Sequence, residues 1–282
     1  MTGSPPGELY QRAKAALRRG LETCRSRVSF DQHGRASELE DNLLEGVTPS
    51  LFEADFQADG GEEMHGEMRA PHASSALAVN AFSPWRTDPR LLQFADRHGF
   101  ARFRFEQQLP TRFGGVPAYF DAFATVGSDP VGVEIKCLEY LTRPSSKYLQ
   151  GFTETIDAAY ARHGPGGAGW LAMVSRLKTK PDAFKVLFAA QLVKQALALG
   201  GAPGARASLV YLYWEPSNWG EFELFGEHRA ELADLARRTV GDRVGFAYQS
   251  FTALFHQWAN QPEPSWLSPH AKALLLRYDV PI

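Results

Sequence analysis

The sequence predicts an α/β protein, a mixed β-sheet flanked by helices, with an N-terminal helical and acidic extension. Three observations carry that reading. Apolar residues recur at helical spacing early in the chain, the centre switches to strict alternation, and a strand–helix–strand run follows. At 282 residues, 44% hydrophobic and 22% charged, the chain can bury a substantial core and is neither disordered nor fibrous in composition.

Taken in order, Glu8 to Val28 reads as an amphipathic helix, with Leu9, Ala13, Ala16, Leu17 and Leu21 at helical spacing among Arg12, Lys14, Arg18 and Arg19. The next stretch holds Pro49 and Gly60-Gly61, so short helices joined by a mobile loop are expected. Ser74 to Phe82 reads as a helix halted by Pro84, and Pro89 to His98 as a second short helix closed by Gly99. From Ala101 to Glu106 the period becomes two, with Arg102, Arg104 and Glu106 set against Phe103 and Phe105. Tyr119 to Val126 and Val131 to Leu138, joined by the turn Gly127 to Pro130, complete a three-strand meander. Asp182 to Leu199 is expected to be a helix, N-capped by Asp182 and ended by Gly200-Gly201. Ser208 to Trp214 reads as a strand buried on both faces, Leu224 to Arg238 as a helix and Val244 to Phe251 as a last strand.

Charge and cysteine content narrow the function classes. Cys24 and Cys137 lie far apart and neither belongs to a C-x-x-C pair, which disfavours a disulfide scaffold, a zinc ribbon and a zinc deaminase. Met1 to Tyr10 is polar, and no apolar run approaches 18 residues, so a cytoplasmic protein without a membrane partner is expected. The net charge of −2 is unevenly spread: Ser37 to Met68 holds ten acids and no Lys or Arg. The other 250 residues hold 22 acids and 30 bases, a mildly basic body compatible with a nucleic-acid substrate. The acidic segment is expected to fold near the basic surface and limit non-specific binding.

The centre carries the chemistry. Glu134 and Lys136, two apart on a strand, project from one face, while Val133, Ile135 and Cys137 face the other way. A hairpin would bring Asp121 beside Glu134. Two converging carboxylates with a lysine form the set needed for Mg²⁺-assisted phosphodiester cleavage, hard oxygens for the ion and an ammonium for the growing charge. The acid-x-lysine spacing alone is uninformative, since chance supplies about 0.9 such pairs in a chain of this composition. Weight comes from the β-type flanks, from Asp121 on the preceding strand and from Glu106 on the one before.

The pattern Glu106, Asp121, Glu134-Ile135-Lys136 resembles the PD-(D/E)XK nuclease superfamily, with its restriction-endonuclease-like fold. More narrowly, Ser74-Ser75-Ala76, Asn80-Ala81-Phe82, Phe120-Asp121-Ala122-Phe123 and the run Gly132 to Glu139 are similar to a bacterial family of restriction endonucleases. The resemblance spans about residues 65 to 255. It implies that Asp121 and Glu134 hold the metal with the Ile135 backbone carbonyl, and that Lys136 is the catalytic lysine. It further implies that Glu106 touches a second metal or steadies the lysine, and that Gln191 points at the site. Phe120 stands where the family usually has a proline. The implied activity is Mg²⁺-dependent hydrolysis of DNA, with Mn²⁺ as a substitute ion, in restriction, defence or repair. RNA and a homodimeric state are left open. The chain then divides into a helical and acidic extension, residues 1–70, and a nuclease-like domain, residues 71–282.

Other readings compete. A catalytically inactive nucleic-acid-binding member of the fold, or an interaction module whose Glu134 and Lys136 are a surface ion pair, would show the same spacing. Gln191 and Gln195 share a helix face that could meet the site or solvent. Ser74, Ser75 and Asn80 could contact a phosphate or serve the helix start. Glu139 is a site neighbour or a solvated strand end. His65 and His72 fit no dense metal motif, and Gly164 to Gly169 reads as a flexible connection. Tyr211, Tyr213, Trp214 and Trp219 could stack bases, although core packing suits the strand members better.

Overall fold

The computed structural model describes residues 6–25, 27–57, 62–111, 117–142, 167–204 and 206–282. One five-stranded sheet runs in the order β1 (Phe100–Leu109), β2 (Ala118–Val126), β3 (Asp129–Lys136), β4 (Ala207–Tyr213) and β5 (Val244–Ser250). The first three strands are antiparallel, as short turns demand. β3, β4 and β5 are parallel, because helices carry the chain back between them. The sheet is therefore mixed and flanked by helices, as the alternation and the strand–helix–strand run predict.

On one face pack α1 (Pro6–Cys24), the short α2 (Glu53–Gln57) and α3 (Glu62–His65), and α4 (Ser74–Phe82). On the other lie α5 (Ala168–Thr179), α6 (Ala189–Gly200) and α7 (Glu223–Arg238). The expected stripe of α1 is buried from Leu9 to Leu21. Gly20 lets α1 cross the last helix closely, since a Cβ there would lie 2.1 Å from the Arg277 carbonyl oxygen. The acidic segment packs into the same hydrophobic cluster as α4 and the sheet, through Leu43, Phe52, Phe56, Met64 and Met68. Asp55 ties it to β1, pairing with Arg86 and accepting the Phe105 N–H at 2.7 Å. The loop expected at Gly60-Gly61 lies outside the described residues.

Three expectations need correction. The segment from Pro89 to His98 is no helix beyond the turn Pro89–Leu91. Ala95 and Asp96 take left-handed backbone in a tight reversal bridging Phe94 and Arg97, and Gln249 accepts the Ala95 N–H. The helix expected from Asp182 begins only at Ala189. The Glu231 carboxylate on α7 takes the amides of Lys185, Val186 and Leu187 at 2.6, 3.1 and 2.7 Å, which holds that stretch out of helical conformation. Gly164 to Gly166 fall outside the described residues, but the connection ends directly in α5, whose Gly169 and Trp170 amides donate to Asp242. The chain closes with α8 (Phe251–Ala259) and α9 (Leu267–Tyr278), which packs against α8 and α1. Among the described residues no helix is long and apolar enough to cross a membrane.

Candidate active site

The ladder between β2 and β3 is paired from Val126 and Asp129 as far as Ala122 and Val133, where the backbone pairing stops. The next residues in that register are Asp121 and Glu134. In place of a main-chain partner, the Ile135 N–H donates to Asp121 Oδ2 at 2.5 Å, so the carboxylate bridges two diverging strands. Phe120 and Phe123 both pack towards α6, although strict alternation would separate them, so β2 bends at Asp121. Gly132 makes room for that bend. A Cβ there would lie 2.4 Å from the Phe120 ring, which fills the space over β3 where the resemblance predicts a proline next to the aspartate.

β1 contributes at the same level. Phe105 faces Ala122 and Gln107 faces Phe120, which sets Glu106 opposite Asp121. Glu106 has a φ of 48°, a left-handed backbone that costs a non-glycine residue about 1 kcal/mol or more and commonly marks functional positions. Its charge acts on Asp121.

Glu134 is 1% exposed, on the α6 face of β3. Gln191 donates to its Oε1 at 2.7 Å, Gln195 donates to Oε2, and Lys136 pairs with Oε1. The Gln195 amide also donates to the Tyr119 carbonyl at 2.7 Å, linking α6 to both β2 and β3. Lys136 lies 5.7 Å from the centre of the Phe188 ring, at the start of α6. The helix face carrying two glutamines four residues apart thus meets the site. Gln195 is the residue that sequence reasoning left undecided, and its spacing from Gln191 was the available signal.

The electrostatics are those of crowded carboxylates. Burial, and after it the charge of Glu134, pushes the Asp121 carboxyl well above the ordinary aspartate range, with Glu106 adding to the rise and Lys136 opposing it. Burial works against the Lys136 ammonium, but Glu134, Asp121 and Glu139 outweigh it and raise its pKa above the ordinary lysine value. Lys136 therefore carries its positive charge at physiological pH. Asp121 and Glu134 are hard-oxygen donors of the kind that suits a divalent cation such as Mg²⁺. Among the described residues no group of three or more His, Cys, Asp or Glu side chains is arranged to hold a metal. An ion here would rest on two carboxylates completed by backbone oxygen and water.

The remaining candidates lie elsewhere. Glu139 accepts the Cys137 N–H at 2.7 Å just beyond β3. Asn80 is wholly buried and structural: its amide oxygen accepts the Leu44 N–H at 2.6 Å, and its NH₂ donates to the Asn42 carbonyl and the Tyr278 hydroxyl. Tyr211, Tyr213 and Trp214 are core residues, with the Tyr211 hydroxyl on His228 and the Trp214 indole on the Tyr278 carbonyl.

A family model described as Restriction Endonuclease associating with ARP matches residues 11–278. No curated protein and no solved structure matches the chain.

Proposed function

The chain belongs to the family of restriction endonucleases associating with ARP, and from that premise we propose that it is a Mg²⁺-dependent nuclease hydrolysing phosphodiester bonds in DNA. The observation that carries the reading is the buried Asp121–Glu134–Lys136 cluster at the point where β2 and β3 part. Asp121 and Glu134, with the Ile135 carbonyl, are the groups to hold the ion, and Glu106 stands beside them. When bound, Mg²⁺ polarises a phosphoryl oxygen and makes a water more acidic. Gln191 and Gln195 orient the Glu134 carboxylate. The Lys136 ammonium is placed to donate to negative charge growing on the phosphoryl oxygens or to orient the attacking water. Exposed Arg102 and Arg104 on β1 and the exposed Tyr119 ring on β2 offer cations and an aromatic surface to a nucleic-acid strand.

Incubation with linear, circular, single-stranded and methylated DNA, with Mg²⁺ or Mn²⁺, tests the activity. Cleavage that disappears on chelation is expected. No cleavage of any DNA with either ion would sink the proposal.

The dense coordination of Glu134 favours a second reading. Its oxygens already accept from Gln191, Gln195 and Lys136, as in a member of the fold that binds nucleic acid without cutting it. Such a protein would bind DNA with an affinity that falls steeply with salt and ignores Mg²⁺.

A further inference from the structure

A cavity of about 470 Å³ opens on the α4 side of the sheet, beyond the end of β3 and away from the Gln191–Gln195 face. Lys14 comes from α1 and Arg35 from the turn after it, and neither side chain pairs with a carboxylate among the described residues. The cavity also receives the N-terminus of α4. Ala73 precedes that helix and supplies no side-chain cap, so its first amides are left without the usual partner. Ser75 in its first turn is 7% exposed, lines the cavity and makes no side-chain hydrogen bond among the described residues. His72 brings a buried Nδ1 that has no partner. Burial, then the charges of Lys14 and Arg35, hold that imidazole down at about 4 against the pull of Glu139, so the ring is neutral at physiological pH.

Two unpaired cations, an uncapped helix start and the unpartnered hydroxyl of a nearly buried serine converge on one space, which is the chemistry of a phosphate monoester site. The rest of the lining differs in kind. The Tyr10 ring stands edge-on to His72 at 6.1 Å between centres, and the Glu63 and Glu67 carboxylates share the wall. Aromatic rings and acceptors select a ligand that also carries a flat, donor-bearing ring. The volume exceeds what inorganic phosphate fills and lies within the range of small-molecule sites.

We propose that this cavity binds a nucleoside monophosphate, either free or as the 5′-terminal residue of a DNA strand. The proposal does not depend on the cleavage reading, because none of these groups belongs to the Asp121–Glu134–Lys136 cluster.

Calorimetric titration with adenosine 5′-monophosphate in EDTA tests it. Saturable binding is expected, weakened at least tenfold by Lys14→Gln and by Arg35→Gln and unchanged by Glu134→Gln. Circular dichroism melts of each variant separate lost binding from lost folding, and Ser75→Ala supplies a milder change at the same site. A 5′-phosphorylated oligonucleotide that competes where its 5′-hydroxyl counterpart does not would assign the strand end as the source. Competition by neither would assign the free nucleotide. Inorganic phosphate binding as tightly as the nucleotide would overturn the nucleoside assignment. Absence of binding, or binding lost in Glu134→Gln yet intact in the Lys14 and Arg35 variants, would overturn the site.

Discussion

Glu134 and Asp121 are held in opposite electrostatic circumstances although they sit on adjacent strands. Glu134 accepts from two amides and an ammonium, whereas Asp121 has the Ile135 N–H and the repulsion of its neighbours. The Asp121 pKa is raised on folding, so its ionised form opposes the metal-free fold. That penalty is absent below the pKa of an unfolded aspartate and grows as pH rises through the folded value. Asp121→Asn removes the charge and keeps an acceptor for the Ile135 N–H. In EDTA at pH 8 the variant is expected to be more stable than the parent protein in urea denaturation, and no more stable at pH 3. Equal stability at pH 8 would show that the two carboxylates do not repel. At this scale the sequence was informative where period two decides: Glu134 and Lys136 share a face because strands alternate. It placed Glu106 on the strand before Asp121 but was mute about its left-handed backbone, which depends on the pairing of β1 with β2.

Among the elements, α6 shows what local sequence cannot supply. Its apolar periodicity extends back to Asp182, yet the helix starts at Ala189 because a carboxylate 44 residues away, on α7, captures three amides first. That capture sets where Phe188, Gln191 and Gln195 meet β3. Glu231→Gln should cost about 2 kcal/mol of stability, a magnitude typical of hydrogen bonds to a charged acceptor. It should also speed hydrogen exchange at the Lys185, Val186 and Leu187 amides more than elsewhere, and slow cleavage by loosening the glutamines. Unchanged exchange at those three amides would contradict this role. The same physics explains the missed turn at Phe94 to Arg97, which is fixed by Gln249 from β5. The helices Ser74–Phe82 and Glu223–Arg238 were legible almost to the residue, since their own spacing and flanks define them.

For the molecule as a whole, the net charge of −2 conceals a division between an acidic segment and a basic remainder, but the acidic segment is no appendage in packing terms. Its apolar residues join the core, which charge counting could not reveal. Buried histidines tie the whole fold to pH. Burial lowers His228 to about 3, His72 to about 4 and His270 to about 4, so they stay neutral in the fold while an unfolded chain protonates them below about 6.5. Their stabilisation is complete above that value and is lost as pH falls towards 4. The unfolding free energy from urea denaturation should therefore drop between pH 7 and pH 5 by about 2 kcal/mol for each of these histidines. A flat profile would mean that these rings are protonated in place. The central claim, that Asp121, Glu134 and Lys136 form a metal-dependent cleavage site, is tested most directly by Mg²⁺-dependent cleavage of DNA by Asp121→Asn, Glu134→Gln and Lys136→Ala proteins with unaltered circular dichroism. Each change is expected to lower the rate at least 100-fold, a typical loss for one catalytic group. Metal-dependent cleavage that persists in all three would contradict the site.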